Sequence, residues 1–243
     1  MINTDGPIGI CNLALSHLAT GLEVQSWTDA TKEAAACRRF YDLARRKVLR
    51  AFPWPFATQF VSLTLVGGMP AQPVTPEWGY SYRLPPDWLR IVRICSGRSR
   101  NDTQQTRIPY RVMSDNAGGL LYTDFPSMFG QANSAPLFSA ALVVTPPMPM
   151  LEYIWDFGAM DTVDDVNTSG VGDTSKFSPD FEETLSFLLA YYIAPRVTKG
   201  DQMKLGDRAW GNYQRALQLA AAMAINEEAA DPPAQAEWIT ARE

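Results

Sequence analysis

The spacing of apolar residues along the chain changes period twice, from helical to alternating and back. After Gly6 and Pro7, Ile10, Leu13, Ala14 and Leu18 lie close to helical spacing and predict a short amphipathic helix over 8–18. Thr28 or Asp29 is suited to cap a longer helix reaching about Ala51, with Cys37, Tyr41, Ala44 and Val48 on one face. Pro53 and Pro55 must end it, because neither can donate to a helical ladder. From about Thr58 to Phe157 the chain breaks into short runs rich in β-branched and aromatic residues, separated by Gly, Pro, Asn and Asp. The expected strands are 59–66, 80–84, 89–96, 110–113, 120–123, 140–145 and 151–157, at a spacing that suggests an antiparallel sandwich or barrel.

Helical periodicity returns after a gap. Residues 161–176 show none and read as a long exposed loop. Ser178 then Pro179, with Asp180, Glu182 and Glu183 in the first turn, is a helix start in which cap, fixed φ and helix dipole agree. Phe181, Leu185, Leu188, Leu189 and Tyr192 form its apolar stripe, and Pro195 should kink or end it. Beyond Gly200 another helix begins near Asp201 and carries Trp210, Tyr213, Leu217 and Ala220 toward Ile225. The pattern therefore predicts an α+β fold: a helical bundle formed by the N- and C-terminal helices (1–57 and 178–226), with an inserted antiparallel β-sandwich or barrel domain (58–157). A flexible loop (158–177) and an extended acidic C-terminal tail (227–243) complete the expected organisation.

Charge adds a local asymmetry to this picture. The chain has 243 residues, 46% hydrophobic and only 19% charged, and such weakly charged surface often ends in contacts between subunits. A net charge of -5 argues against a surface built throughout for nucleic acid. Residues 28–50 are nevertheless basic, as are 83–111, whereas Glu227, Glu228, Asp231, Glu237 and Glu243 face only Arg242 at the end of the chain. Solvated faces are the ordinary reading of such runs; complementary patches that meet in an assembly are the sharper one. Cys11, Cys37 and Cys95 are widely spaced in apolar or helical contexts and read as reduced core residues of a chain made in a cytoplasm. The first residues lack a basic start followed by an apolar run, and no stretch approaches the ~18 apolar residues of a membrane span, so neither secretion nor membrane insertion is expected.

Candidate chemistry is sparse. His17 is the single histidine, which excludes sites needing two. Cys11 lies six residues before it, roughly 120° around one helix, a poor geometry for a catalytic pair. Asp161, Asp164, Asp165, Asn167 and Asp173 miss the spacing of a calcium loop and read better as a polar linker. Glu152 and Asp156 are the carboxylates that a cell-wall hydrolase reading would use. No phosphate-loop, dinucleotide or hydrolase-elbow motif is present. No catalytic residue, cofactor or metal is therefore expected. Trp54, Phe56, Trp78, Tyr80, Tyr82 and Trp88 lie near arginines and could stack on single-stranded nucleic acid, but prolines fix the backbone among them and packing of the seam between bundle and β domain is the stronger reading.

Two stretches carry a resemblance. Residues 37–50, running into Pro53-Trp54-Pro55-Phe56-Ala57, resemble the tail tubular protein A family of short-tailed phages, and Trp78-Gly79-Tyr80-Ser81-Tyr82-Arg83-Leu84-Pro85-Pro86-Asp87-Trp88-Leu89-Arg90 looks like that family's second hallmark. The likeness is strongest over 8–95 and returns from Phe181 to Ala224. It implies a non-enzymatic structural protein of the virion, a head-to-tail adaptor assembled in the host cytoplasm. Closed cyclic symmetry would give a ring of about twelve copies, each touching its neighbours through two different faces. The helical part would meet the portal protein and the β part the next tail ring, or nozzle, and in some relatives the fibres. DNA would pass through the lumen without sequence reading. The candidate interface residues are Arg38, Arg45, Arg46, Arg50, Trp54, Trp78 and Trp88, with Glu237 and Trp238 on a tail that could dock on the portal. A tail-associated cell-wall hydrolase and a carbohydrate-binding module are the alternatives.

Overall fold

A computed structural model of the chain describes residues 6–67, 75, 77–95, 108–124, 149–158, 174–198 and 202–227. The expected strand at 140–145, the carboxylates between Asp161 and Asp173, and Glu237 and Trp238 lie outside the described residues.

Among the described residues, four α-helices come from the two chain ends. α1 (Gly6–His17) buries Ile10, Cys11, Ala14 and Leu15. α2 (Lys32–Ala51) is capped by Thr31, whose side chain accepts from the Ala34 amide, rather than by Thr28 or Asp29. Asp29 instead accepts from the Gln25 and Ser26 amides and closes the turn ahead of the helix. α3 (Pro179–Val197) starts where Ser178 accepts from the Phe181 amide. It is buried on nearly every side, by Phe181, Leu185, Leu188, Leu189, Ala190, Ile193 and Ala194, because α1, α2 and α4 (Gln202–Glu227) all pack around it. Pro195 falls in the last turn, and the helix ends two residues later, with Thr198 returning both its amide and its hydroxyl to the Ala194 carbonyl.

Among the described residues the β insert forms two antiparallel sheets and no closed barrel. The first runs β1 (Thr58–Ser62), β7 (Met150–Trp155), β4 (Trp88–Cys95); the second runs β2 (Thr64–Gly67), β3 (Tyr80–Arg83), β6 (Gly118–Thr123), β5 (Tyr110–Asp115). The single strand expected over 59–66 is therefore two. Leu63 leaves the first sheet, buries itself, and hands the chain to the second.

The first sheet is the middle layer. Along β7, Leu151 and Tyr153 face the second sheet, while Ile154 joins the helical core. On β4, Ile91 and Ile94 point to the second sheet and Leu89 and Val92 to the helices, a pattern that strict alternation forbids. Register shifts between Trp88 and Arg90 and between Ile91 and Arg93 reset the faces. Helices, three-stranded sheet and four-stranded sheet thus stack as three layers over two apolar cores, with Trp155 packed against both.

Candidate functional site

The two stretches that carry the family resemblance meet at one place, the end of β7, where Asp156 and Phe157 follow the strand. From α2, Arg45 reaches inward with no exposure and donates through Nη1 to the Phe157 carbonyl (2.5 Å) and through Nη2 to Asp42 Oδ1 (2.5 Å). Its Nη1 also lies 2.7 Å from Asp156 Oδ1, a charge contact outside hydrogen-bond alignment. Arg46 Nε closes the ring of charges, 3.1 Å from both Asp42 Oδ2 and Asp156 Oδ2. Two arginines and two aspartates share one partly enclosed site. Each charge faces two of opposite sign.

The proline-aromatic segment supplies the apolar half of the junction. Trp54 is buried and donates from Nε1 to the Val48 carbonyl (2.9 Å), which fixes the chain as it leaves α2. Phe56, at the 3-10 turn Pro55–Ala57, lies 5.1 to 5.7 Å from the rings of Phe157, Phe177 and Phe181. From the second stretch, the Asp87 carbonyl accepts the Asp156 amide (2.8 Å), and Arg90 Nη1 donates to the Arg50 and Ala51 carbonyls (3.0 and 3.2 Å). A guanidinium on the last carbonyls of a helix satisfies acceptors that have no partner within it and complements the dipole.

These positions divide the candidate interface residues. Arg45 and Trp54 are buried within the subunit and are corrected to structural residues of the junction, because neither side chain reaches a partner surface. Charge reversal at Arg45 would accordingly strike folding before assembly. Arg46 is half exposed, and Arg38 and Arg50 are exposed. Arg38 holds the loop ahead of α2, donating to the Trp27 and Asp29 carbonyls. Trp78 and Trp88 are half-buried, and Trp88, Tyr80 and Tyr82 belong to the core between the sheets rather than to the seam with the helices.

The carboxylates of the hydrolase reading are otherwise engaged. Glu152 pairs with Arg93 across the sheet, and Asp156 belongs to the charge ring. Four residues apart along one extended chain, they stand ~13 Å from each other, beyond the separations at which two carboxyl groups share a glycosidic bond.

One polar pair escaped the sequence reading. His17 Nε2 lies 3.0 Å from Ser186 Oγ across the packing of α1 on α3, with the imidazole stacked 4.2 Å from the Phe187 ring. Ser186 is buried and its hydroxyl donates to the Glu183 carbonyl (2.7 Å), so the histidine donates to it. The arrangement cross-links two helices and leaves no free nucleophile. Cys11 is equally enclosed, and the neighbouring Cys37 thiol together with burial pushes its thiol well above the usual range. No group of three or more metal-ligating side chains occurs among the described residues, and no helix there is long and apolar enough to cross a membrane.

No protein-family model and no curated sequence matches this chain.

Proposed function

We propose that the chain is a structural virion protein, a head-to-tail adaptor that forms a ring between the portal and the tail nozzle and leaves a channel for genomic DNA. The observation that carries the reading is the convergence of the two hallmark stretches on Asp156 and Phe157. Residues that look arbitrary as motifs have a joint purpose there: they fasten the β insert to the helices through charges, helix-end carbonyls and stacked rings. A subunit that must bridge two rings needs such a joint, because force or register set at one end has to reach the other without being lost in a hinge. In this reading the helical part faces the portal, the β insert faces the nozzle and any fibres, and about twelve copies close the ring.

Mixing the purified chain with intact portal rings and imaging the product by electron microscopy tests the proposal. A second ring seated coaxially on the portal is expected. Intact portals that remain bare across micromolar concentrations of the chain would overturn it.

A further inference from the structure

The charged ring at the junction consumes only part of the basic character of α2. Lys32, Arg39, Leu43, Arg46 and Arg50 are all exposed, and at 100° per residue they fall within an arc of about 60° on the outer side of the helix. The stripe runs ~27 Å at 1.5 Å per residue. Among the described residues, Lys32, Arg39 and Arg50 make no side-chain ion pair, while Asp42 on the same helix is held by Arg45 and Arg46. In the middle sits Leu43, 54% exposed, an apolar contact point between cations.

The chain also contains a counterpart to this stripe. Residues 227–243 carry five carboxylates against Arg242, and Trp238 and Ile239 place an apolar pair directly after Glu237. At no more than ~3.5 Å per residue, this segment can extend past the full length of the stripe. A phosphate backbone would match the arginines but would leave Leu43 facing nothing apolar, and a chain of net charge -5 repels it. An acidic segment bearing an aromatic residue fits both features.

We propose that the outer face of α2 receives the acidic C-terminal segment, residues 227–243, of a second copy of this chain. The inference rests on the ring reading, in which each subunit offers two different faces to its neighbours, and it names those two faces. Opposite charges would select the partner and speed docking, and Trp238 packing near Leu43 would fix the register.

The test uses the full-length chain, alone and with portal rings, followed by analytical ultracentrifugation with circular dichroism as a check on folding. The double variant Arg39→Glu/Arg50→Glu avoids the junction charges. Its expected effect is to raise the midpoint concentration of self-association about tenfold or more. Glu228→Lys/Glu237→Lys should do the same, and the quadruple variant, in which the two reversed faces again match, should recover association. Loss with the α2 variant but not with the tail variant would overturn the proposal by showing that another acidic surface occupies the stripe. So would unchanged association in both. A wild-type chain that associates while the variants behave identically leaves the adaptor reading standing and removes only this inference. A wild-type chain that never associates, even on portals, removes both.

Discussion

Arg45 and Arg46 are neighbours in sequence with the same two acidic partners, yet burial gives them different work. Arg45 has no exposure, and its guanidinium donates to a backbone carbonyl and to Asp42 while its charge also faces Asp156. Replacing it by Ala leaves the Phe157 carbonyl and part of the Asp156 charge without a donor, at an expected cost of about 3–5 kcal/mol in chemical denaturation. Arg46 is half exposed, water replaces much of what it provides, and Arg46→Ala should cost no more than about 1 kcal/mol. Equal losses would mean that the charge ring is a surface feature after all. His17 allows a second test at this scale. Burial lowers its pKa from the ordinary 6.5, so the folded protein holds the imidazole neutral while the unfolded chain takes up a proton more readily. Between the two pKa values the unfolded state binds more protons, and stability must fall as pH drops through 6.5 and level off below the folded value. Thermal melts from pH 7.5 to pH 5 should show this loss, and His17→Gln, which keeps a donor for Ser186, should remove that component of it. A His17→Gln profile parallel to that of the wild type would rule the histidine out as its source.

At the scale of elements, the helices were legible in the sequence because each writes its own start and stripe. Ser178-Pro179 marks α3 to the residue, and the faces of α2 follow from Cys37, Tyr41, Ala44 and Val48. The misreadings came where a neighbour decides. Thr28, Asp29 and Thr31 all have side chains that cap; only the turn made by Asp29 with Gln25 and Ser26 leaves Thr31 as the cap. The run 59–66 is one strand by composition and two by topology, since nothing local announces that Leu63 changes sheets. The bulges of β4 hid its two faces in the same way. Packing between strands also makes a sharp prediction at Gly119 on β6. A methyl group there would sit 2.8 Å from Trp88 Nε1 and 3.1 Å from Leu84 Cδ1, and both of those side chains belong to the core between the sheets. Gly119→Ala should therefore destabilise the protein by about 1–3 kcal/mol through overpacking, measured in urea, although alanine is ordinarily the better strand residue. Unchanged stability would show that Trp88 is free to move aside.

For the whole molecule, the sequence reading expected an α+β fold, which the structure has, but treated helices and strands as two bodies joined at a seam. The polar contacts of the seam were illegible because they are long-range: Arg45 meets Phe157 across 112 positions, and Arg90 meets the Arg50 carbonyl across 40. What results is continuous. Ile154 and Phe157 belong to the helical core although they come from the β insert, Trp155 touches both cores, and α2 ends under Arg90 of β4. Opening the insert away from the helices would expose this apolar surface and unpair Arg45 at the same moment, so no stable half-molecule is available. Calorimetry should accordingly record one transition with equal calorimetric and van't Hoff enthalpies, monitored alike by the tryptophans of the β insert and by the helical circular dichroism. Asp156→Ala is the variant that sharpens the test, since it removes the acid shared by both arginines at the joint. If the layers form one cooperative unit, the variant melts at a lower temperature but still in a single step. Splitting into two transitions would show that the joint alone, rather than the shared core around Trp155, binds the β insert to the helices.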